Sequence, residues 1–369
     1  MKIKTIELFV IQMALKSPFL THLGNVKDRE GIIVKVTNAD GVSGFGEGVA
    51  FSTPWYTEET VTTCLHMLTD ILIPLLQKNP IKHPDETFSL FKSIRRNNMA
   101  KAALETALWD LYAKDHAASL STMLEGTRSV IASGVVVATD STAKAIQQIE
   151  QYIEDGYQRI KVKINPKQDV DFLSEIRRFF PDLPIMADAN SAYSLHDLER
   201  LKALDEFNLM MIEQPLAPND IIEHAVLQKQ ISTPICLDES IVSFEDAKLA
   251  VELGSCKVIN IKVGRVGGLN EAKRIHDYCY EKGIPVWCGG MIEFGISRAH
   301  NIALASLPGF TIPGDISASS RFWDEDIISP EVIVKNGVID VPVTPGIGFS
   351  INEKRLQETQ LCKKSFAFS

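Results

Sequence analysis

From about residue 130 onward, short runs rich in apolar and β-branched residues alternate with amphipathic helical stretches. Eight runs can be counted, at residues 130–138, 158–164, 183–189, 209–214, 233–239, 257–263, 284–290 and 310–316. Such alternation is typical of a parallel α/β fold, and eight units match the count of a TIM barrel. A doubly wound open sheet is the competing fold, but no glycine-rich dinucleotide turn follows the first run. We therefore predict a (β/α)8-type TIM barrel.

The first 125 residues have a different pattern. The stretch "IIVKVTNADGVSGFGEG" predicts strands around a turn, and "AKAALETALWDLYAKD" predicts a helix. The tail contains "VIVKNGVIDV", which predicts two strands around an Asn-Gly turn. We expect an α+β capping domain built from residues 1–125 and completed by about residues 322–369, with the barrel at 126–321.

The composition excludes several classes of partner. A net charge of −9 argues against nucleic acid, which requires a basic face, and no apolar run approaches the roughly 20 residues that span a bilayer. The six cysteines are widely separated, without the spacing of a zinc site or a disulfide framework. We expect a cytoplasmic homo-oligomer that acts on a small molecule.

One charged residue lies near the C-terminal end of each of five consecutive predicted strands: Lys163, Asp188, Glu213, Asp238 and Lys262. Their successive spacings are 25, 25, 25 and 24 residues, which is one βα unit each time. TIM-barrel active sites are built at this rim, so the five side chains can converge. A single strand-end carboxylate is more often a helix cap or a surface charge, but solvent-facing charges have no reason to keep this register.

Three carboxylates on neighbouring strands repel one another unless a cation lies between them. Oxygen donors without His or Cys select a hard ion, so we predict Mg²⁺, with Mn²⁺ as a substitute. The two lysines lie on strands two and six of eight, on opposite sides of the mouth. A substrate carboxylate at the metal would place its adjacent carbon between two amines, and proton removal would create an enediolate stabilised by the ion.

The stretch "RIKVKINP" places Lys161 and Lys163 on the same face of a strand. Two neighbouring ammonium groups repel, and one relieves the repulsion by losing its proton. A neutral lysine is a base, so we expect Lys161 to tune Lys163. The pattern alone is also typical of an edge strand with its lysines in water.

Several motifs together resemble the enolase superfamily, and within it the muconate-lactonizing-enzyme subgroup, the family of o-succinylbenzoate synthases related to N-acylamino acid racemases. They cover nearly the whole chain: "FSTPWYTEE", "AKAALETALWDLYAK", "KVKI", "MADAN", "MMIEQP", "CLDES", "NIKVGRVGG", "CGGMIEFGISRAHNIALASLP" and "IPGDISASSR".

The resemblance implies a role for each matching residue. Asp188, Glu213 and Asp238 become metal ligands, Lys163 and Lys262 the acid/base pair, and Lys161, Asn190 and Glu239 supporting groups. Gly289, Gly290 and Met291 border the substrate. Apart from the resemblance, the aromatic cap loops that contain Phe19 and Tyr56 either close over the mouth and contact substrate or pack between the domains. The implied reaction is the Mg²⁺-dependent syn-dehydration of 2-succinyl-6-hydroxy-2,4-cyclohexadiene-1-carboxylate to o-succinylbenzoate in menaquinone biosynthesis, with Lys262 mainly a fixed cation.

Two residues depart from the family pattern. Val136 replaces a serine frequent in relatives with racemase activity, which favours the synthase, and Phe294 occupies a usually small, hydroxylated position in the pocket wall. N-Acylamino acid (N-succinylamino acid) racemization, alone or beside the lyase activity, remains the alternative. A scaffold that has lost catalysis is a third hypothesis, which the retention of both lysines and all three carboxylates opposes.

Overall fold

The computed structural model describes residues 1–21, 24–137, 139 and 141–368, and for residues 18–21, 24 and 25 it describes the backbone. The strands in chain order are β1 (Ile3–Thr21), β2 (Gly24–Asn38), β3 (Ser43–Gly48), β4 (Val130–Ala132), β5 (Val135–Val137), β6 (Ile160–Lys163), β7 (Ile185–Asp188), β8 (Ile212–Glu213), β9 (Ile235–Leu237), β10 (Val258–Ile261), β11 (Val286–Cys288), β12 (Ile328–Ser329), β13 (Val338–Asp340), β14 (Ser350–Ile351) and β15 (Gln360–Ala367).

The α-helices in chain order are α1 (Val61–His66), α2 (Ile73–Lys78), α3 (Glu86–Leu90), α4 (Asn98–Asp115), α5 (Leu120–Met123), α6 (Thr142–Glu154), α7 (Asp169–Phe179), α8 (Leu198–Ala203), α9 (Ile222–Gln228), α10 (Phe244–Leu253), α11 (Val263–Val266), α12 (Leu269–Glu281), α13 (Gly295–Ala305) and α14 (Glu353–Thr359). A π-helical stretch, Met67–Leu72, joins α1 to α2. No helix in the described ranges is long and apolar enough to cross a bilayer.

The N-terminal region is an antiparallel sheet covered by α4. The strand order is β15-β1-β2-β3, so the last strand of the chain pairs with the first. Gly44 and Gly46 of β3 allow α4 to approach closely, since a Cβ at either position would lie 2.4 Å or less from a backbone oxygen of the helix. The sheet and helix thus share one core, to which both chain ends contribute.

The barrel strands β5 to β11 form a parallel sheet in chain order. Between β11 and β5, residues 310–316 form the eighth wall through isolated bridges, Phe310 with Val286 and Gly314 with Ser133, instead of a regular strand. Pro313 lies in this segment and lacks a backbone donor, which accounts for the sparse ladder. The predicted TIM-type barrel with an α+β cap is confirmed, with an eighth strand less regular than expected.

Two predicted strand assignments are wrong in detail. The run 130–138 is divided into β4 and β5 at Ser133 and Gly134, where the Arg159 side chain leaves no room for a Cβ on the glycine; Ala138 lies outside the described residues. The tail run "VIVKNGVIDV" keeps its turn, with positive φ at Asn336 and Gly337, but β13 pairs with β4 instead of an upstream tail strand. This part of the tail therefore joins the start of the barrel.

Two buried carboxylates of the cap bind the N-termini of barrel helices. Glu47 accepts hydrogen bonds from the amides of Phe294 and Ser297 at the start of α13, both at 2.8 Å. Glu105 accepts from Leu269 and Asn270 at the start of α12, also at 2.8 Å. Burial raises the pKa of each glutamate to about 8. The cap is thereby fixed to the two helices that follow β10 and β11.

Candidate active site

Three of the five predicted strand-end side chains lie side by side. Lys163 of β6 is paired in register with Asp188 of β7, and Asp188 is paired with Glu213 of β8. Asp238 directly follows β9, and Lys262 directly follows β10. Each residue is the last of its strand or the next one along, so one parallel ladder brings the five groups to the same rim.

The Lys163 side of the mouth is partly open. Its ammonium nitrogen lies 2.6 Å from Asp188 Oδ2 and 2.6 Å from Asn190 Oδ1, and its side chain is 38% exposed. Asn190 in turn donates to Glu239 Oε1 at 3.2 Å. Burial, and then the Asp238 charge, raise the pKa of Glu239 to about 7. Lys163 therefore has solvent access and an oriented neutral acceptor.

The Lys262 side is closed. Its ammonium nitrogen lies 2.8 Å from Asp238 Oδ2 and 2.8 Å from the Tyr56 hydroxyl, and 4.7 Å from the centre of the Tyr56 ring. Arg265 binds the other oxygen of Asp238 and also the Tyr56 hydroxyl. Burial alone would lower the pKa of Lys262, but the Asp238 charge, together with smaller contributions from Tyr56 and Glu239, outweighs it and keeps that pKa above its ordinary value. This lysine is held as a cation.

The three carboxylates are buried and mutually repulsive. Burial, and then the Asp188 charge, raise the pKa of Glu213 to about 8. Burial opposes ionization of Asp188 and Asp238, yet nearby lysine and arginine charges hold the pKa of both below its usual range. Among the described residues, no three His, Cys, Asp or Glu side chains already converge as metal ligands. The carboxylates instead bind ammonium and guanidinium groups, and such crowded oxygen donors suit a hard divalent cation.

Lys161 lies deeper in the barrel than Lys163, and carboxylates surround its ammonium group. Its ammonium nitrogen lies 2.6 Å from Asp315 Oδ2, 3.1 Å from Glu213 Oε2 and 3.3 Å from Asp188 Oδ2. Burial opposes the charge, but these carboxylates, Asp315 first, raise the pKa of Lys161 well above its ordinary value. Lys161 is thus held as a cation, and its tuning of Lys163 stays a prediction.

The glycines after β11 form a close wall beside Lys262. A Cβ at Gly289 would lie 2.4 Å from Asn260 Oδ1 and 2.6 Å from Lys262 Cε. At Gly290 it would lie 2.6 Å from the carbonyl oxygen of Asp315. Met291 is buried directly after them. These positions require glycine for space. Phe19, expected in a cap loop, lies instead in β1, where its backbone pairs with Val26 of β2, and its side chain lies outside those that the structure describes.

Two family models match most of the chain. Residues 144–355 match the "Enolase C-terminal domain-like" family, and residues 5–125 match the "Mandelate racemase / muconate lactonizing enzyme, N-terminal domain" family. This chain belongs to the enolase superfamily.

Relatives of this superfamily member cover nearly all of it. It is 58% identical to an o-succinylbenzoate synthase of Geobacillus stearothermophilus, over 96% of this chain and 95% of the relative. It is 41% identical to an N-succinylamino acid racemase of Thermus thermophilus, over the full length of both. An enolase-superfamily structure from Listeria innocua superposes with a TM-score of 0.97 at 42% identity and covers 100% of each chain.

The two residues that depart from the family pattern have structural roles in this enolase-superfamily chain. Phe294 is fully buried, and its ring packs 5.0 Å from that of Trp323 and fills the space above Gly31 of the cap. It therefore packs the barrel against the cap. Val136 lies opposite Lys161 in the β5–β6 pairing, and its carbonyl accepts from Arg321 at 2.9 Å.

Three polar residues that touch the predicted site were not expected from the sequence: Asp315, Arg265 and Asn260. Asp315 lies at the end of the eighth predicted strand, so the strand-end rule could have found it. Asn260 donates to Glu213 Oε1 at 2.9 Å from inside the barrel, two residues before Lys262 and on the same strand face. Arg265 lies in a helical turn after β10, and no spacing in the sequence pointed to its contact with Asp238.

Proposed function

We propose that this chain catalyses the dehydration of 2-succinyl-6-hydroxy-2,4-cyclohexadiene-1-carboxylate to o-succinylbenzoate, the lyase step implied for menaquinone biosynthesis. The observation that carries the proposal is the placement of two lysines at opposite sides of one rim, each bound to a different member of a carboxylate trio. The 58% identity to an o-succinylbenzoate synthase supports the choice of reaction.

Members of the enolase superfamily depend on a divalent metal, and the proposal assigns Mg²⁺ to this chain. Asp188, Glu213 and Asp238 would hold it, because they are buried, adjacent oxygen donors whose mutual repulsion a cation relieves. When bound, the ion would bind the substrate carboxylate and stabilise the negative charge that develops on it.

Within this arrangement, Lys163 in its neutral form would take the proton from the carbon next to the carboxylate. The same ammonium group would then give a proton to the departing hydroxyl, which leaves as water while the ring becomes aromatic. Proton and hydroxyl leave from one face, so a single lysine serves both steps. Lys262, paired with Asp238 and Tyr56, would hold the opposite face as a fixed positive charge.

The proposal includes a cytoplasmic location and a homo-oligomeric state. All six cysteines are free thiols and five are buried, as expected in a reducing compartment. The oligomeric state stays a prediction.

The direct test is to incubate the purified protein with the cyclohexadiene carboxylate, with Mg²⁺ and with excess chelator, and to quantify o-succinylbenzoate. We expect product only with the metal, and the Lys163→Ala variant serves as the inactive control. Equal product in the presence and absence of protein, at saturating Mg²⁺, would refute the proposal.

N-Succinylamino acid racemization is the second candidate, since two opposed lysines suffice to move a proton from one face of a carbon to the other. The 41% identity to an N-succinylamino acid racemase favours its inclusion. Incubation with an N-succinyl amino acid in D₂O, followed by measurement of deuterium exchange and optical rotation, separates the activities. Exchange with inversion but no dehydration of the cyclohexadiene substrate would make racemization the main reaction.

A further inference from the structure

Asp315 lies in the segment that closes the barrel. Its carboxylate pairs with two buried cations, Lys161 of β6 and Arg159 in the loop before β6. Its Oδ1 lies 2.7 Å from Arg159 Nη2, and its Oδ2 lies 2.6 Å from Lys161 Nζ. Its backbone amide donates to the carbonyl of Cys288 at 2.9 Å. The Asp315 carboxylate is thus held from two sides and its orientation is fixed.

The Lys161 ammonium group contacts three carboxylates. Besides Asp315, its ammonium group reaches one oxygen of Glu213 and one oxygen of Asp188. Of the three contacts, the one to Asp315 is the shortest. The ring of Trp287, 5.1 Å from the ammonium nitrogen, adds a further contact but no countercharge. Asp315 is therefore the partner of Lys161 that does not belong to the proposed metal-ligand trio.

These contacts place Lys161 in competition with a divalent cation. An ammonium group bound to Asp188 and Glu213 occupies lone pairs that a metal would need, and its charge repels the metal. An anion on the far side draws the ammonium group away from the ligands and balances its charge. We propose that Asp315 is a positioning residue that keeps Lys161 from competing for Asp188 and Glu213, so that the metal binds tightly.

This inference rests on the proposed function, because it takes Asp188 and Glu213 as metal ligands. The alternative role for Asp315 is only to close the barrel, where the backbone ladder is sparse. The two roles differ in one respect: a role in barrel closure does not require the charge of Lys161, whereas the positioning role acts entirely through it.

The test measures Mg²⁺ affinity by isothermal titration calorimetry on the full chain without substrate. The variants are Asp315→Asn, Lys161→Met and the double variant. We expect the dissociation constant for Mg²⁺ to rise about 10- to 100-fold in Asp315→Asn, the usual cost of losing a group that orients metal ligands. In the Lys161→Met background the same change should have less than about a twofold effect, since no ammonium group remains to compete.

Two further variants serve as controls. Asp315→Glu keeps the negative charge, and we expect it to recover most of the lost affinity. Asp326 is a matched buried carboxylate outside the predicted site, and its Oδ2 lies 3.4 Å from Arg298 Nη1. Asp326→Asn should lower the melting temperature and leave Mg²⁺ affinity unchanged, and thermal unfolding without metal reports the folding of every variant.

The outcomes distinguish the inference from the function on which it rests. If Asp315→Asn weakens Mg²⁺ binding equally with and without Lys161, or does not weaken it, the positioning role is overturned while the metal site stands. If the wild-type chain binds no Mg²⁺, or binds it equally after Asp188→Asn, the proposed metal site falls and the inference falls with it.

Discussion

The two lysines at the rim occupy contrasting environments. Lys163 is 38% exposed and binds Asp188 and the neutral amide of Asn190, whereas the Lys262 side chain is 9% exposed and is enclosed by Asp238, Tyr56 and the nearby Arg265. Both lysines pair with one carboxylate, so they differ in solvent access and in their remaining partners. A group that must gain and lose a proton benefits from solvent access, whereas an enclosed ammonium group paired with a carboxylate serves better as a fixed cation.

This asymmetry bears on the choice between the two activities. Dehydration from one face needs one proton-transferring lysine and one cation, whereas racemization needs both lysines to exchange protons. The environment of Lys262 therefore favours the lyase. Four substitutions, in decreasing order of expected effect, test whether this contrast between the lysines is functional.

Replacement of the open lysine should have the largest effect. We expect Lys163→Ala to lower kcat for dehydration by about 10³-fold or more, since the group that moves both protons is lost. Mg²⁺ binding should persist, because the trio remains. Lys167→Ala, an exposed lysine four residues later, is the matched control. Substantial turnover by Lys163→Ala would refute the assignment of the base.

Replacement of Lys262, the enclosed lysine, tests whether this residue contributes a positive charge or transfers protons. Lys262→Ala should reduce kcat for dehydration about 10²- to 10³-fold, the usual effect of removing one electrostatic donor. Lys262→Arg keeps a cation and should restore part of this loss, but it should not restore racemization. Equal loss of dehydration in both variants would instead indicate that Lys262 transfers protons.

The effect of Asn190 on the rate should come mainly through its contact with Lys163. Removal of its amide in Asn190→Ala deletes a 2.6 Å acceptor of the ammonium group. We expect kcat to fall about tenfold or slightly more, consistent with one hydrogen bond to a charged group, with unchanged Mg²⁺ affinity. Asn165→Ala, in the loop that follows β6, provides the comparison. A change confined to KM would contradict the positioning role.

Lys161→Ala should change the pH dependence more than the maximal rate. The loss of a positive charge, which also takes one cation away from Asp188, Glu213 and Asp315, favours the protonated form of Lys163. The acidic limb of the kcat profile at saturating Mg²⁺ should therefore move to higher pH, by about one unit. An unmoved limb, or one displaced to lower pH, would show that Lys161 does not tune Lys163.

Much of this arrangement could be predicted from the sequence. The alternation of runs and helices indicated the barrel, and the spacing of Lys163, Asp188 and Glu213 indicated the register that β6, β7 and β8 adopt. The two-residue period of a strand also indicated that Lys161 and Lys163 share a face. These features are local, because they depend on the period of an element and on the length of one βα unit.

The partners of those side chains could not be predicted in the same way. Asp315 meets Lys161 across 154 positions of sequence only because the eighth segment closes the barrel, and Phe294 meets Trp323 and Gly31 only because the cap docks there. The break between β4 and β5 likewise lies where the Arg159 side chain packs against Gly134.

The amino-acid sequence was enough to predict that five charged side chains reach the rim and from which strands they come. Which charge neutralises which, and hence that one lysine is open and the other enclosed, followed only from the packing of distant segments. The physical reason is that periodicity sets the direction of a side chain, whereas the strength of an electrostatic interaction depends on distance and burial, which exist only after distant segments have packed together.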